Sequence, residues 1–397
     1  MCAGQNFVTD RRRAGAVRGK GESNMIKSYF WNRKWVWWAW GVGAAIFLSV
    51  YLQVQFTVMI NEWYRDFYDL IQAAATQAAN RAAGQTIPPD QVRTIDEFWW
   101  YIFAPAFKDF TYFGFVSGVG PRTFLWIAVP YAAIVAATNF VTRHYAFRWR
   151  QSITEDYIPR WRRVDEDIEG ASQRIQEDTF RFARIVENLG LQAFRSLMTL
   201  IAFLPILWGL SDKVDLPILR DIPGSLVWAA LSISVGGMVV SWFVGYFLPG
   251  LEYNNQKVEA AFRKELVYGE DDKQGHAQPE TLFSLFTGIR RNYFRLYLHY
   301  GYFDLWIYLF NQVTTLTPLL MMGPGLFSGI VTFGLFQQVS SAFDRVDGAF
   351  RIILDNWTTL TELRSIWKRL HEFEDNLVKY DTGADVGTVP PAEPVAN

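Results

Sequence analysis

The chain has 397 residues, of which 50% are hydrophobic and 17% aromatic, and its formal net charge is −1. This charge gives no electrostatic reason to expect nucleic-acid binding. Cys2 is the single cysteine, so an intramolecular disulfide and a thiolate metal cluster are excluded, and the four histidines form neither HxxxH nor HExxH. We therefore expect no metal site, no cofactor and no enzymatic activity.

The N-terminal segment, residues 1–34, is basic and carries eight Lys and Arg residues before the first apolar stretch. A signal peptide begins in the same way, but here the apolar stretch is long and no small-residue cleavage site follows it. We therefore expect an uncleaved first span preceded by a basic cytoplasmic segment. Met25 is an alternative to Met1 as the natural start, because the residues that follow it lead directly into this span.

Six apolar stretches are long enough to cross a bilayer, which takes about 20 apolar residues in a helix. We predict spans at about 35–60, 123–142, 193–210, 224–248 and 296–321, with a sixth from about 326. An extended polar segment is expected at 61–121. Pro205 is expected to break the third span, and residues 321–325 to form a tight turn. Residues 381–397 are predicted to be a disordered tail.

Lys and Arg are concentrated in residues 1–34, 143–190 and 251–295, whereas 211–222 carries two and 322–325 none. Five more are spread over the long segment 61–122. Because cytoplasmic loops are enriched in these residues, this alternation predicts six spans with both termini in the cytoplasm.

The stretches 143–190 and 251–295 are rich in charge and in helix-forming residues, and each continues directly from a span. We predict that they form long cytoplasmic helical hairpins. Six spans with such hairpins after the second and fourth are typical of the membrane domain of an exporter-type ABC protein. The predicted fold is thus an all-α membrane protein, with residues 35–380 forming one six-helix transporter domain.

The ATPase that normally drives such a domain is not evident in this sequence. A phosphate loop has the pattern GxxxxGK[ST], and the nearest match, at Gly19-Lys20-Gly21, has Ala14 in place of the first glycine and no hydroxyl residue after the lysine. About 50 residues follow the sixth span, which is too few for an ATPase domain. We therefore expect no ATP binding by this chain and an energy source that lies elsewhere.

Several long blocks resemble the SbmA/BacA family of bacterial inner-membrane peptide transporters. They are residues 61–72, 144–150, 169–190, 248–272, 290–300 and 356–370. The resemblance implies a homodimer with an exporter-type membrane fold, located in the inner membrane, that imports peptides by using the proton gradient. It implies proline-rich antimicrobial peptides, microcins and bleomycin-like compounds as substrates. The best-known members have an additional N-terminal hydrophobic segment that this sequence lacks.

The same resemblance implies four proton-coupling carboxylates, which are Glu177, Glu187, Glu259 and Glu270. Spacing gives a partly independent argument for Glu259, Glu270 and a possible cavity residue, Glu252. They are seven and eleven residues apart, so they lie on one stripe if the helix continues through Gly269. The alternative is that they form a solvated face of a cytoplasmic helix.

Asp304 lies inside the fifth predicted span, where an ionisable group usually faces a cavity or a partner. It is therefore a second possible cavity residue, unless it lies near the cytoplasmic end and meets Arg295 or solvent. Four further charges follow near the cytoplasmic end of the sixth span: Asp344, Arg345, Asp347 and Arg351. For these we expect ion pairing within or between subunits.

Two other functions are consistent with the sequence. The chain could be the membrane half of an ATP-driven transporter whose ATPase is a separate chain. It could also be a membrane protein that affects envelope lipids without transporting anything.

Overall fold

The computed structural model describes residues 24–103, 123–168, 170–214, 222–276 and 278–380. The regular elements in these ranges are helices. They are α1 (Asn24–Phe30), α2 (Gly43–Ala82), α3 (Ile95–Phe103), α4 (Phe124–Trp161), α5 (Ala171–Gln173), α6 (Thr179–Leu210), α7 (Ser225–Gly245), α8 (Leu248–Asp271), α9 (Pro279–Phe327), α10 (Phe333–Asp355) and α11 (Trp357–Lys379). π-Helical segments, Trp37–Val42 and Arg174–Asp178, lead into α2 and α6. The predicted disordered tail lies outside the described residues.

Four helical stretches are long and apolar enough to cross a membrane. They are Trp37–Ala82, Phe124–Trp161, Ala171–Lys213 and Ser225–Asp271. They correspond to the first four predicted spans. The prediction of an all-α membrane protein is therefore confirmed, and four of the six predicted spans are supported. Within the described residues α9 and α10 do not reach the same apolar character, because both carry charged and amide side chains.

Both predicted helical hairpins are present. In the first, α4 ends at Trp161 and the chain returns through α5 into α6. In the second, α8 returns as α9 after a turn in which the Asp272 carboxylate accepts hydrogen bonds from the backbone N–H groups of Gln274 (3.1 Å) and Gly275 (3.0 Å). Pro279 then occupies the first turn of α9, where no backbone N–H is needed.

The structure corrects three details of the predicted boundaries. α6 continues through Pro205 to Leu210, and α9 continues through Pro318 and Pro324 to Phe327. Proline is tolerated inside membrane helices because neighbouring groups satisfy the backbone carbonyls that it frees. The turn predicted at 321–325 therefore lies at 328–332, where Gly329 has a φ of 76°. The polar segment that was expected to be extended from residue 61 is helical as far as Ala82.

The described residues form two compact units. The first combines those of the ranges 1–52, 133–194 and 356–397. Its core is aromatic: Tyr29 of α1 is fully buried and stacks on Trp149 of α4, with ring centroids 5.7 Å apart. The Trp149 indole N–H donates to the Met25 carbonyl (3.1 Å), so α1 is fixed to α4 by both packing and a hydrogen bond.

The second unit contains residues 53–132 and 195–355. Here α7, α9 and α10 pack on one another, and α8 packs along α9. Its apolar core draws residues from α6, α7, α9 and α10, among them Phe203, Leu226, Met322, Val339 and Phe343.

The start of α10 lies directly against α2 within this unit. The backbone N–H groups of Phe333 and Gly334 donate to the side chains of Gln72 (2.7 Å) and Asp69 (2.9 Å). A Cβ at Gly334 would clash with the Arg65 carbonyl oxygen. Only glycine therefore permits this approach of the two backbones.

Gly334→Ala should lower the melting temperature of the detergent-solubilised protein strongly, because backbone has to move at a close contact. Gly348→Ala on the same helix is the matched control, since a Cβ there meets nothing within 4 Å. The control should be neutral or stabilising by about 0.5–1 kcal/mol through helix propensity. Equal melting temperatures for the two variants would contradict the α2–α10 contact.

Glu374 of α11 is a buried carboxylate in the first unit. It accepts hydrogen bonds from the Met25 backbone N–H (2.8 Å) and the Tyr157 hydroxyl (3.0 Å). Burial raises the pKa of Glu374 above its ordinary value of 4.5, although these hydrogen bonds oppose the rise. The folded protein therefore holds this proton more tightly than the unfolded chain. The resulting stability is fully present below pH 4.5 and is lost as the pH rises through the folded pKa.

Glu374→Gln keeps an acceptor oxygen but does not titrate. The melting temperature of the wild-type protein, measured by tryptophan fluorescence, should therefore fall relative to that of this variant as the pH rises above 4.5. Asp375→Asn, which changes the next and exposed carboxylate of α11, is the control and should follow the wild type. A constant difference between Glu374→Gln and the wild type at every pH would rule out the buried titration.

Candidate functional site

α8 carries three of the predicted site residues. The helix is continuous through Gly269 to Asp271, as the one-stripe prediction requires. Seven and eleven residues correspond to rises of about 10 and 16 Å, so Glu252, Glu259 and Glu270 form a carboxylate row along α8. Glu252 and Glu259 are half-buried and Glu270 is exposed. None of the three forms an ion pair with another described residue.

The carboxylate row runs beside the contact between α8 and α9. The buried and half-buried residues of α8 recur along one side of the helix, which is the pattern of a helix packed on a neighbour. Leu251, Asn255 and Gly269 are buried, and Leu248, Glu252, Val258, Glu259, Phe262 and Glu265 are half-buried. Glu252 and Glu259 are therefore partly covered and partly accessible to solvent.

Tyr300 of α9 lies near both possible cavity residues. It lies within electrostatic range of both Glu252 on α8 and Asp304, one turn further along α9. Asp304 is exposed, and among the described residues it has no ion pair, including with Arg295. The structure therefore brings Glu252 and Asp304 to one region of the second unit.

Glu177 and Glu187 belong to the first unit and differ in their surroundings. Glu177 forms an ion pair with Arg181 (2.7 Å), which also pairs with Glu362 of α11 (3.1 Å). Glu187 is half-buried in α6, and in the described part of the chain it has neither a hydrogen bond nor an ion pair. Only the more distant charges of Arg143 and Arg184 act on it. Glu187 is thus the less compensated of the two carboxylates.

Asp178 is a buried carboxylate that sequence reasoning missed. Its side chain is 1% exposed, and it accepts two hydrogen bonds from Arg369 of α11 (2.7 and 3.0 Å) and one from Arg174 (2.8 Å). Such a fully paired carboxylate joins two elements rather than exchanging protons. The spacing of four residues between Arg174 and Asp178 could have indicated an ion pair along one helix. The contact with Arg369 could not be predicted in this way, because Arg369 is 191 residues from Asp178 in the sequence.

A second buried ion pair lies in α10. The expected pairing within the charge cluster is confirmed for Asp347 and Arg351, whose atoms Oδ2 and Nε are 2.6 Å apart. The Ser234 hydroxyl of α7 also donates to Asp347 (3.0 Å), and Arg351 hydrogen-bonds Asn311 of α9. This network connects three helices of the second unit. Asp344 and Arg345 remain outside it.

Cavities open among the described residues of the second unit. The first, about 630 Å³, is lined by four carboxylates from α2 and α3 and the residues around them. These are Asp66, Asp69, Asp96 and Glu97, and the nearby cations Arg65 and Arg93 each pair with one of them. The second cavity, about 520 Å³, lies between α2 and α10.

Within the described residues, no group of three or more His, Cys, Asp or Glu side chains is placed to hold a metal ion. The protein is a membrane protein of the transporter class. Its long apolar helices, its helical hairpins and its similarity to ABC transporters support this assignment. The chain belongs to the SbmA/BacA-like family, whose model matches residues 32–378. This confirms the resemblance found in the sequence blocks.

Curated proteins with ABC-transporter names are also similar to this chain. An uncharacterized ABC transporter ATP-binding protein of Synechocystis is 26% identical over 279 residues, which is 64% of this chain and 40% of that protein. The inner membrane ABC transporter ATP-binding protein YddA of Escherichia coli is 25% identical over 57% of this chain and 44% of its own length. ABC transporter D family member 2, chloroplastic, of Arabidopsis thaliana is 24% identical over 60% and 35%, respectively. The chain spans less than half the length of each of these relatives.

The exposure of the α8 carboxylates can be tested by cysteine labelling in a Cys2→Ser background, since Cys2 is the single native cysteine. A charged maleimide should label Glu270→Cys fast and Glu259→Cys more slowly. Asn255→Cys is the control, because Asn255 is 4% exposed on the same helix and should stay unlabelled. Labelling of position 255 as fast as position 270 would show that α8 is not packed along α9 as described.

Proposed function

We propose that this protein imports peptides across the bacterial inner membrane and that the proton gradient drives the import. The observation that carries the proposal is the family match over residues 32–378. By the resemblance stated above, the expected substrates are antimicrobial peptides, microcins and bleomycin-like compounds. The candidate coupling residues Glu187 and Glu259 are half-buried and have no ion pair among the described residues, which is compatible with the proposed role.

The proposal includes six spans and both termini in the cytoplasm. α9 has 49 residues and α10 has 23, which give lengths of about 73 and 34 Å. Both exceed the roughly 30 Å of a bilayer's hydrocarbon core. Their polar side chains are compatible with spans that face a water-filled cavity rather than lipid.

The proposal also includes a homodimer. The most apolar stretches of α4 and of the helix Ala171–Lys213 are each only 11% buried inside one chain. Apolar surface of this extent has to be covered by lipid or by a second copy. The dimer implied by the resemblance supplies the second copy.

The relatives favour one alternative, which is an ATP-driven transporter. Their printed names describe ATP-binding proteins, and this chain spans less than half of each. The 397 residues themselves contain no complete GxxxxGK[ST] motif. In this alternative the ATPase is a separate chain and the carboxylates are structural.

The two functions can be separated with the purified protein in liposomes. A labelled cationic peptide should accumulate when the outside is acidic and no ATP is present, and an uncoupler should abolish the accumulation. Uptake that requires an added ATPase chain and ATP, and that ignores the uncoupler, would support the alternative. If no peptide moves under either condition, the non-transport function in envelope lipids becomes the better explanation.

Glutamine variants form a second arm of the same experiment. Glu187→Gln, Glu259→Gln and Glu270→Gln keep the side-chain shape but cannot exchange a proton, so gradient-driven uptake should fall to background while expression persists. Glu177→Gln tests the fourth candidate, whose carboxylate is ion-paired. Glu280→Gln, at an exposed position of α9, is the control and should transport normally. Normal uncoupler-sensitive uptake by all of the candidate variants would disprove the coupling role.

A further inference from the structure

The cavity between α2 and α10, called the polar cavity below, is not explained by proton coupling. Its volume of about 520 Å³ lies within the range of about 300–1,000 Å³ that is usual for ligand sites. None of the predicted proton-coupling residues lines it. Its walls come from two helices of the same compact unit.

One wall is a polar face of α10. The lining residues of this helix are Gln337, Ser340, Ser341, Asp344 and Arg345. Their spacing of three and four residues places them on one side of the helix. The other side of α10 is apolar and belongs to the buried core, as Val339, Ala342, Phe343 and Val346 show. The polar face is therefore exposed to the cavity while the opposite face carries the packing.

The other wall is formed by two tyrosines on successive turns of α2. Tyr64 and Tyr68 line the cavity, and their ring centroids are 6.2 Å apart. They present two aromatic surfaces opposite the hydroxyl and amide groups of α10. Tyrosine combines a large apolar ring with a polar hydroxyl group, which suits it to binding surfaces.

The two walls are held at a fixed separation. The Asn61 side-chain amide donates to the Gln338 carbonyl (2.8 Å), and the start of α10 is hydrogen-bonded to Asp69 and Gln72 as described above. Asn61 Oδ1 and Gln338 Oε1 are buried acceptors that lack a donor among the described residues. A cavity with walls fixed in this way is preorganised, which lowers the cost of binding.

The polar cavity contains two charged side chains, Asp344 and Arg345. Asp344 and Arg345 are both exposed, and in the described part of the chain neither forms an ion pair. The neighbouring Asp347 and Arg351 are paired with each other. An unpaired carboxylate and an unpaired guanidinium side by side can each take a counter-charge from a ligand.

We propose that the polar cavity is a binding subsite for an extended peptide segment with a basic side chain. The amide of Gln337 and the hydroxyls of Ser340 and Ser341 supply donors and acceptors for the peptide main chain. The rings of Tyr64 and Tyr68 stack on planar or cyclic side chains, and Asp344 pairs with the basic group. This inference rests on the proposed function, because it names where the imported peptide binds.

The test is equilibrium binding to the purified protein in detergent without a gradient. The probes are a short fluorescent peptide containing arginine and its counterpart with glutamate in place of arginine. Asp344→Asn should weaken binding of the basic peptide roughly fivefold, the size of a partly exposed ion pair, and leave the acidic one unchanged. Asp344→Arg should weaken the basic peptide further and strengthen the acidic one. A merely structural role of Asp344 predicts no such reversal.

Two further variants complete the design. Tyr64→Leu combined with Tyr68→Leu should weaken both peptides to a similar extent. Asp355→Asn is the matched control, because it removes an exposed carboxylate of α10 outside the polar cavity and should leave both affinities unchanged. Size-exclusion profiles establish whether each variant folds. If Asp344→Arg fails to fold, binding by the near-isosteric Asp344→Asn tests whether Asp344 contacts the basic peptide.

Failure of the subsite differs from failure of the proposed function. If the wild type transports peptide and both Asp344 variants bind the two probes as the wild type does, the subsite is wrong and the importer proposal stands. If the wild type neither binds nor transports either probe, both proposals are wrong.

Discussion

A backbone N–H or C=O group in the hydrocarbon core of a membrane finds no water to bind, so a spanning segment has to satisfy these groups internally. The long helices of this protein follow from that requirement. It also explains why α6, whose stretch is long and apolar enough to cross a membrane, continues through Pro205. In lipid, stopping the helix exposes more unsatisfied backbone than keeping a proline inside it.

Burial makes a charge costly unless it is paired, and the covered carboxylates of this protein fall into two groups. Asp178 and Asp347 are buried and fully engaged with arginines, and each joins helices that are distant in the sequence. Glu187 and Glu259 are half-buried and carry no such partner among the described residues. The first pair stabilises the fold. Within the described ranges the second pair joins no helices in this way, and its two members are candidates for the proposed coupling.

The features that depend on residues close together in the sequence could be predicted from the local sequence pattern. The hairpins follow from long runs of helix-forming residues and the α8 carboxylate row from helical spacing, and the helices are continuous as both predictions require. The turn before α10 was placed too early because Gly323-Pro324-Gly325 reads as a turn in water. The contact of Asp178 with Arg369 spans 191 positions, so no local pattern could reveal it. The polar face of α10 was visible in the sequence, but its meaning depended on the tyrosines of α2.

The approach of α10 to α2 at Gly334 has a consequence for motion. The backbones meet there with no side chain of residue 334 between them, and two hydrogen bonds join α10 to side chains of α2. A change in the position of α10 relative to α2 would have to break these hydrogen bonds. The width of the polar cavity, whose walls are these two helices, therefore depends on the contact at Gly334.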